Sequence, residues 1–220
     1  MRDPIDPMLA TAGPPPTGTG WAFELKWDGM RGNAALEDGQ LRLTARPRRV
    51  NRPGSNVTDT YPELGVLREL TGGRSMVLDG EIVALADGRP SFRALQRRMN
   101  ARPTALRLRD LPVSYYVFDL LSLDGELVTS RPYSERRALL SGLGLPVTAE
   151  DPAVRVVVPA YWTDIDGGDL LAAAREHGLE GIVAKELGSL YRPGRSRHWV
   201  KTRLADYGNA LAEWENRHES

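Results

Sequence analysis

From Trp21 the chain alternates strictly: Trp21, Phe23, Leu25 and Trp27 fall on one side, Glu24, Lys26 and Asp28 on the other. A period of two means a strand with an apolar face and a charged face. Asp28-Gly29 reads as a bend, "RGNAALE" as a second strand, Asp38-Gly39 as a hairpin turn and "QLRLTAR" as a third strand. "SMVLDGEIVAL" predicts another strand, Gly88 to Pro90 a turn and "SFRALQRRMN" a short helix. "LPVSYYVFDLLSL" is a nearly continuous apolar, β-prone run, the pattern of a central strand. After an Asp124-Gly125 turn, "YSERRALLSGLG" predicts a short helix with Ser134 as N-cap and Gly142 or Gly144 near its end. "VRVVVPAYW" reads as a strand, "GGDLLAAAREHG" as a helix with Asp169 near its positive end, and "LEGIVAKEL" and "HWVKTRLA" as strands.

Strands outnumber helices and DG turns join several directly, so the pattern predicts an α+β fold with antiparallel sheets flanked by helices. Residues 1–20, with "GPPPTGTG", form a Pro/Gly-rich extended lead-in, 21–205 the folded domain, and 206–220 a short polar tail.

Composition narrows the chemistry. At 220 residues the chain makes one large domain or one domain with two lobes. The absence of cysteine excludes disulfides, thiolate catalysis and cysteine-ligated zinc. With no signal-peptide pattern and no apolar run of membrane-spanning length, a cytoplasmic location is expected. Twenty-nine basic and 29 acidic residues cancel, which removes a whole-molecule field for nucleic acid. Local clusters remain: Arg46, Arg48, Arg49 and Arg52 in one stretch, and Arg192, Arg195, Arg197, Lys201 and Arg203 in another. Each is a solvated loop or a site for a polyanion.

Only three of the 29 basic residues are lysines: Lys26, Lys185 and Lys201. A guanidinium stays protonated at any ordinary pH, whereas an amine can lose its proton and attack. Lys26, beside Glu24 and Asp28 with Arg31 following, is either a surface ion pair or a nucleophilic amine facing an anionic substrate. Asp79 and Glu81 share a face in an otherwise apolar run, as either a solvated turn or oxygen ligands for a hard divalent metal. Glu180 enters another apolar strand, and alternation sets Glu180 and Lys185 on opposite faces unless the chain bends near Gly181. Trp199, Lys201 and Arg203 share a face, where two adjacent cations repel unless an anion lies between them. Phe118 is core or a flat platform for a base. No GxxxxGK[ST] and no complete GxGxxG is present, so a nucleotide's phosphates would be held by side chains and metal.

Taken together, these segments resemble the nucleotidyltransferase (adenylation) domain of ATP-dependent DNA ligases, the small bacterial type in particular. KxDGxR stands here as Lys26-Trp27-Asp28-Gly29-Met30-Arg31; Arg46 in "LTARPRR" with Pro62-Glu63-Leu64, Asp79-Gly80-Glu81, "YYVFDLL", Glu180 to Lys185 and "WVKTR" follow in the family's order. The resemblance implies a two-lobed, ATP-grasp-like fold and a covalent mechanism. Lys26 would attack the α-phosphate of ATP, releasing pyrophosphate, and the lysyl-bound AMP would pass to a 5′-phosphate at a nick in double-stranded DNA during repair. It also implies that Glu24 lies near the adenine, Phe118 stacks on it, and Arg31, Arg46 and Glu81 hold the ribose and nearby groups. Glu81 and Glu180 would organise Mg²⁺, and Lys185 and Lys201 would bind the α-phosphate region. Two positions depart from the pattern: Arg203 stands where many relatives have lysine, and Arg48 where glycine is frequent.

Family ligases continue into an OB-fold domain, and the chain stops about where that domain would start. Slow self-adenylation and weak DNA binding are therefore expected, with an OB-fold domain or protein partner supplied in trans as one alternative; the chain is expected to be a monomer. Competing readings are an RNA ligase or GTP-dependent capping-type nucleotidyltransferase, and a nucleotide- or DNA-binding module without turnover.

Overall fold

A computed structural model describes residues 4–46, 54–99, 101–148 and 155–206. Two sheets form the frame. The smaller contains β1 (Met8–Ala12), β2 (Trp21–Lys26), β11 (Gly181–Glu186) and β12 (Gly194–Arg203), in the order β1-β12-β11-β2. The larger runs β10-β8-β6-β3-β4-β5, built from β3 (Met30–Glu37), β4 (Gln40–Ala45), β5 (Ser55–Asn56), β6 (Met76–Ala86), β8 (Val113–Leu123) and β10 (Val156–Val157). Short strands β7 (Arg89–Pro90) and β9 (Glu126–Leu127) pair with β6 and β8. Helices α1 (Leu67–Leu70), α2 (Phe92–Met99), α3 (Ala105–Asp110), α4 (Tyr133–Ser141) and α5 (Gly167–Glu176), with two 3-10 turns at Thr58–Thr60 and Pro62–Val66, complete the described elements. The α+β expectation holds. Most pairs are antiparallel, but β1 runs parallel to β12 and β10 parallel to β8.

Alternation decides which residues reach which side. On β2 and β11, Phe23, Ile182 and Ala184 face outward and pack with Leu170, Leu171 and Ala174 of α5. On the larger sheet Ala34, Leu36, Leu78, Ile82 and Val117 face outward into the main core, with Leu64, Leu67, Leu95 and Leu140 covering them. The inner faces meet through a third cluster that includes Met8, Ala35, Val77, Leu121, Tyr191 and Trp199. Val83, Tyr116 and Val157 form a smaller apolar cluster with Trp27 and Leu85 packed against it, and between these clusters the inner faces carry charged side chains.

The DG turns carry a recognisable geometry. Asp38-Gly39, Asp87-Gly88 and Asp124-Gly125 all have positive φ at both residues, as a two-residue hairpin turn with right-handed strand twist demands. Strand β8 lies between β10 and β6, buried on both faces, as its unbroken apolar run predicts.

Several local expectations are corrected. Helix α4 begins at Tyr133 with Pro132 as its N-cap, because proline's fixed φ of −54° starts the turn and no side-chain cap is used. Ser134 instead uses its N–H on the Leu187 carbonyl. "VRVVVPAYW" yields only Val156–Val157 before Pro159 ends the ladder, apart from one bridge between Trp162 and Phe23. Residues 8–12 of the lead-in are a strand paired with β12, so the sheet begins ahead of Trp21. Arg48, Arg49, Arg52 and the tail after Asp206 lie outside the described residues.

Candidate active site

The inner face of the small sheet is set by register. Lys185, Val183 and Gly181 lie opposite Ala22, Glu24 and Lys26 on one side, and opposite Trp199, Lys201 and Arg203 on the other. One surface therefore carries Glu24, Lys26, Lys185, Trp199, Lys201 and Arg203. Lys26 ends β2, and its Nζ donates to Glu180 Oε2 at 2.5 Å. The bend that alternation required is at Gly181, whose φ is 149°. A Cβ there would sit 2.0 Å from the Thr202 carbonyl oxygen, so only glycine lets β11 press on β12 while Glu180 turns back to Lys26.

Deeper on the same face, Lys185 donates to both oxygens of Glu24 at 2.8 and 2.9 Å, and the Tyr133 hydroxyl donates to Oε1 of the same carboxylate. The Lys185 and Glu24 side chains are 2% and 6% exposed, so the pair is buried. Burial holds the Lys185 pKa below the ordinary lysine value, against the pull of Glu24 and Asp119. Its Nζ lies 4.4 Å from the ring centre of Phe118, 4.5 Å from Trp199 and 4.9 Å from Tyr133. The structure thus brings Lys185 to Glu24 and an aromatic cage.

The larger sheet answers with Arg31, Asp79, Glu81, Tyr116 and Phe118. Arg31 makes a two-pronged pair with Asp79, at 2.9 and 2.6 Å, and Tyr191 donates its hydroxyl to the same carboxylate at 2.7 Å. Burial alone would lower the Arg31 pKa, but Asp79, Tyr191 and Glu81 together outweigh that and hold it above the ordinary arginine value. The Arg31 guanidinium also lies 4.9 Å from the Phe118 ring centre.

Phe118 reaches the cleft through a register fault. Asp79 pairs with Asp119 but Gly80 pairs with Val117, so Phe118 is the extra residue of a bulge in β8. It is half-buried at the rim of the inter-sheet cluster, with Arg31 and Lys185 over its ring. Glu81 lies opposite Arg31 on β3 and Tyr116 on β8. Burial pushes its carboxyl up to about 8, against the pull of Arg31 and Lys26. Gly29 makes room for it: a Cβ there would be 2.4 Å from the Ile82 carbonyl oxygen and 2.9 Å from Glu81 Cγ.

The remaining cations gather near Lys26. The Lys201 pKa is lowered by burial and then by Arg203, Lys26, Arg46 and Arg195 around it. Arg203 has its anion, Asp206, at 2.7 Å, while Lys201 has no acidic partner among the described residues. Arg46 follows β4 and is tied to Arg31 through its backbone N–H at 2.9 Å.

Sequence patterns passed over three supports. Asp28, read beside Lys26, accepts from the N–H of Phe92 at 3.0 Å and so ties α2 to the KWDG bend. Asp119 and Arg136 form a fully buried two-pronged pair, at 2.8 and 2.9 Å, that ties α4 to β8. Tyr133 carries no signal beyond its place at a helix start, since its partner Glu24 is 109 residues away.

Two curled sheets enclosing a cleft of this chemistry constitute the nucleotidyltransferase fold of DNA ligases. The chain belongs to the ATP dependent DNA ligase domain family, whose model matches residues 7–203. It is 39% identical over 206 residues to the multifunctional non-homologous end joining DNA repair protein LigD of Mycobacterium tuberculosis H37Rv, covering 90% of this chain and 24% of that protein. LigD of Pseudomonas aeruginosa is 38% identical over 202 residues, covering 91% of this chain and 22% of the relative. The chain therefore spans about a quarter of these relatives' length.

Among solved structures, the ligase domain of M. tuberculosis LigD superposes with a TM-score of 0.73 at 37% identity, over 90% of this chain and 60% of that one. A mycobacterial DNA ligase D complexed with ATP and MES gives 0.71 at 37% identity, with the same coverage. The bacteriophage T7 ATP-dependent DNA ligase, at 16% identity and TM-score 0.58 over 90% of this chain and 68% of that one, shares the fold. No helix among the described residues is long and apolar enough to cross a membrane.

Proposed function

We propose that this chain is the adenylation domain of an ATP-dependent DNA ligase acting in cytoplasmic DNA repair, with Lys26 as its nucleophile. The observation that carries the reading is Lys26 itself, held 2.5 Å from Glu180 at the end of β2, on a face shared with Lys201 and opposite Arg31 and Glu81. The hydrogen bond to Glu180 gives the ammonium proton a way out. The freed amine attacks the α-phosphate of ATP, a nitrogen–phosphorus bond forms, and the bond to the β-phosphate oxygen breaks, releasing pyrophosphate. AMP then passes to a 5′-phosphate at a nick in duplex DNA.

Phe118 offers its ring to the adenine, with Glu24 beside it, and Arg31, Arg46 and Glu81 flank the ribose. Lys201, without an acidic partner among the described residues, meets the developing charge on the α-phosphate. Lys185 is assigned to the same phosphate region, and nucleotide entry must then exchange its contact with Glu24. Glu81 and Glu180 fit Mg²⁺, which takes one or two carboxylates together with substrate phosphates and water and supplies charge neutralisation there. Glu81 is poorly solvated where it sits, and a cation would favour its ionised form.

The test is incubation of the chain with Mg²⁺ and α-labelled ATP, followed by intact mass spectrometry, with Lys26→Ala in parallel. An AMP-sized adduct absent from the variant supports the reading. Labelling by GTP in preference to ATP would redirect it to a capping-type enzyme, and ATP binding without an adduct would reduce it to a binding module.

A further inference from the structure

Residues 88–109 hold seven arginines and no acidic residue, in a chain whose total charge is zero. The stretch runs from the β6–β7 hairpin through α2 and α3. Arg98 alone turns inward, fully engaged by Glu63 and by the Thr60 and Leu111 carbonyls. Arg89, Arg93, Arg97, Arg102, Arg107 and Arg109 are exposed. Only Arg109 meets a carboxylate among the described residues, its own neighbour Asp110. On α2 the buried side is Ala94, Leu95 and Arg98, which leaves Arg93 and Arg97 one turn apart on the outer side. Helix α3 buries no residue at all.

The location is as informative as the charge. Helix α2 starts where the Phe92 N–H meets Asp28, two residues from Lys26, so the arginine ridge begins at the rim of the cleft. Arg107 donates to the Arg102 carbonyl at 3.2 Å, while Arg93 and Arg97, one turn apart, have no carboxylate among the described residues; guanidinium groups so placed repel one another, and a row of phosphates relieves that repulsion with matching fork geometry. A protein partner would call for an apolar or aromatic centre, whereas Leu106 is the one large hydrophobic residue of the stretch exposed there.

We propose that this ridge is the surface along which the phosphate backbone of duplex DNA lies, beside the nick whose 5′-phosphate Lys26 serves. The proposal rests on the ligase reading and adds the docking surface to it. Contacts of this kind position the duplex without reading its sequence.

The test compares the chain with an Arg93→Ala/Arg97→Ala/Arg102→Ala variant, using fluorescence anisotropy on a nicked duplex with a 5′-phosphate across a series of salt concentrations. Thermal unfolding and self-adenylation are measured alongside. These positions are exposed, so the variant should melt and label with AMP as the parent does. Its affinity should fall about tenfold or more, and the slope of log K against log salt should become shallower by roughly 2 to 3, near 0.9 for each lost phosphate contact. Equal affinity and slope in chains that still label with AMP would overturn the ridge and leave the ligase reading standing, pointing to an acidic protein partner for the arginines. Failure of the parent chain to label would count against the ligase reading itself.

Discussion

Lys26, the proposed nucleophile, and its neighbours make separable demands. Lys26→Ala and Lys26→Arg should both lose self-adenylation, by roughly 10⁴-fold or more, since arginine keeps the charge but cannot attack. An adduct surviving in either variant, read by mass spectrometry, would move the nucleophile elsewhere. Glu24 is a different case. Its carboxylate faces the buried Lys185 ammonium and the Tyr133 hydroxyl, so Glu24→Ala leaves a charge buried without a partner. The expected cost is about 3 to 5 kcal/mol in denaturant unfolding. Tyr133→Phe removes one hydrogen bond to that carboxylate and should cost about 1 to 3 kcal/mol. Equal, small effects from the two variants would mean that Glu24 and Lys185 are solvated in the native protein.

At the scale of elements, the cleft depends on two backbone irregularities, the bulge that aims Phe118 and the bend at Gly181. Gly181→Ala forces a Cβ onto the Thr202 carbonyl and penalises a φ of 149°. It should destabilise the chain by about 1 to 3 kcal/mol. It should also slow adenylation by pulling Glu180 away from Lys26, with Lys26 still present. Unchanged labelling kinetics would show that the Glu180 contact is dispensable.

These irregularities also mark the limit of what the sequence discloses. The alternation of β2, the DG hairpins and the unbroken run of β8 were legible because each is a local pattern with period or turn chemistry. The bend at Gly181 was legible as a requirement, because Glu180 and Lys185 could not otherwise serve one site. The β8 bulge was not, because it arises from pairing with β6. Nor were the parallel pairings of β1 and β10 or the Glu24–Lys185 pair, whose members are 161 residues apart. Helix α3, short and without a buried residue, has no buried stripe to announce it.

For the whole molecule, the polar groups between the sheets set how the fold responds to alkali. Tyr115, Tyr133 and Tyr191 are buried, and burial pushes each well above the ordinary tyrosine value. Below about pH 10 these hydroxyls are protonated in both folded and unfolded chains, and their contribution to stability is fully present. Above that, the unfolded chain loses protons that the folded chain keeps, so stability falls as pH rises. Lys185 acts in the opposite sense: its depressed pKa makes the unfolded chain the more protonated up to about pH 10.4, which favours folding as pH rises through that window. The two effects succeed each other.

Denaturant midpoints should therefore hold or rise slightly toward pH 10 and then drop, and Tyr133→Phe should soften the drop by removing one of the three hydroxyls. The loss should strike the cleft first. Tyr191 links Met8 on β1 to Asp79 on β6, and Tyr133 links α4 to Glu24 on β2, so their ionisation unties the small sheet from the large one. A midpoint that stays level to pH 11.5 would show these hydroxyls exchanging with solvent in the folded chain. The inter-sheet contacts would then be looser than the geometry between Trp199, Tyr191 and Met8 implies.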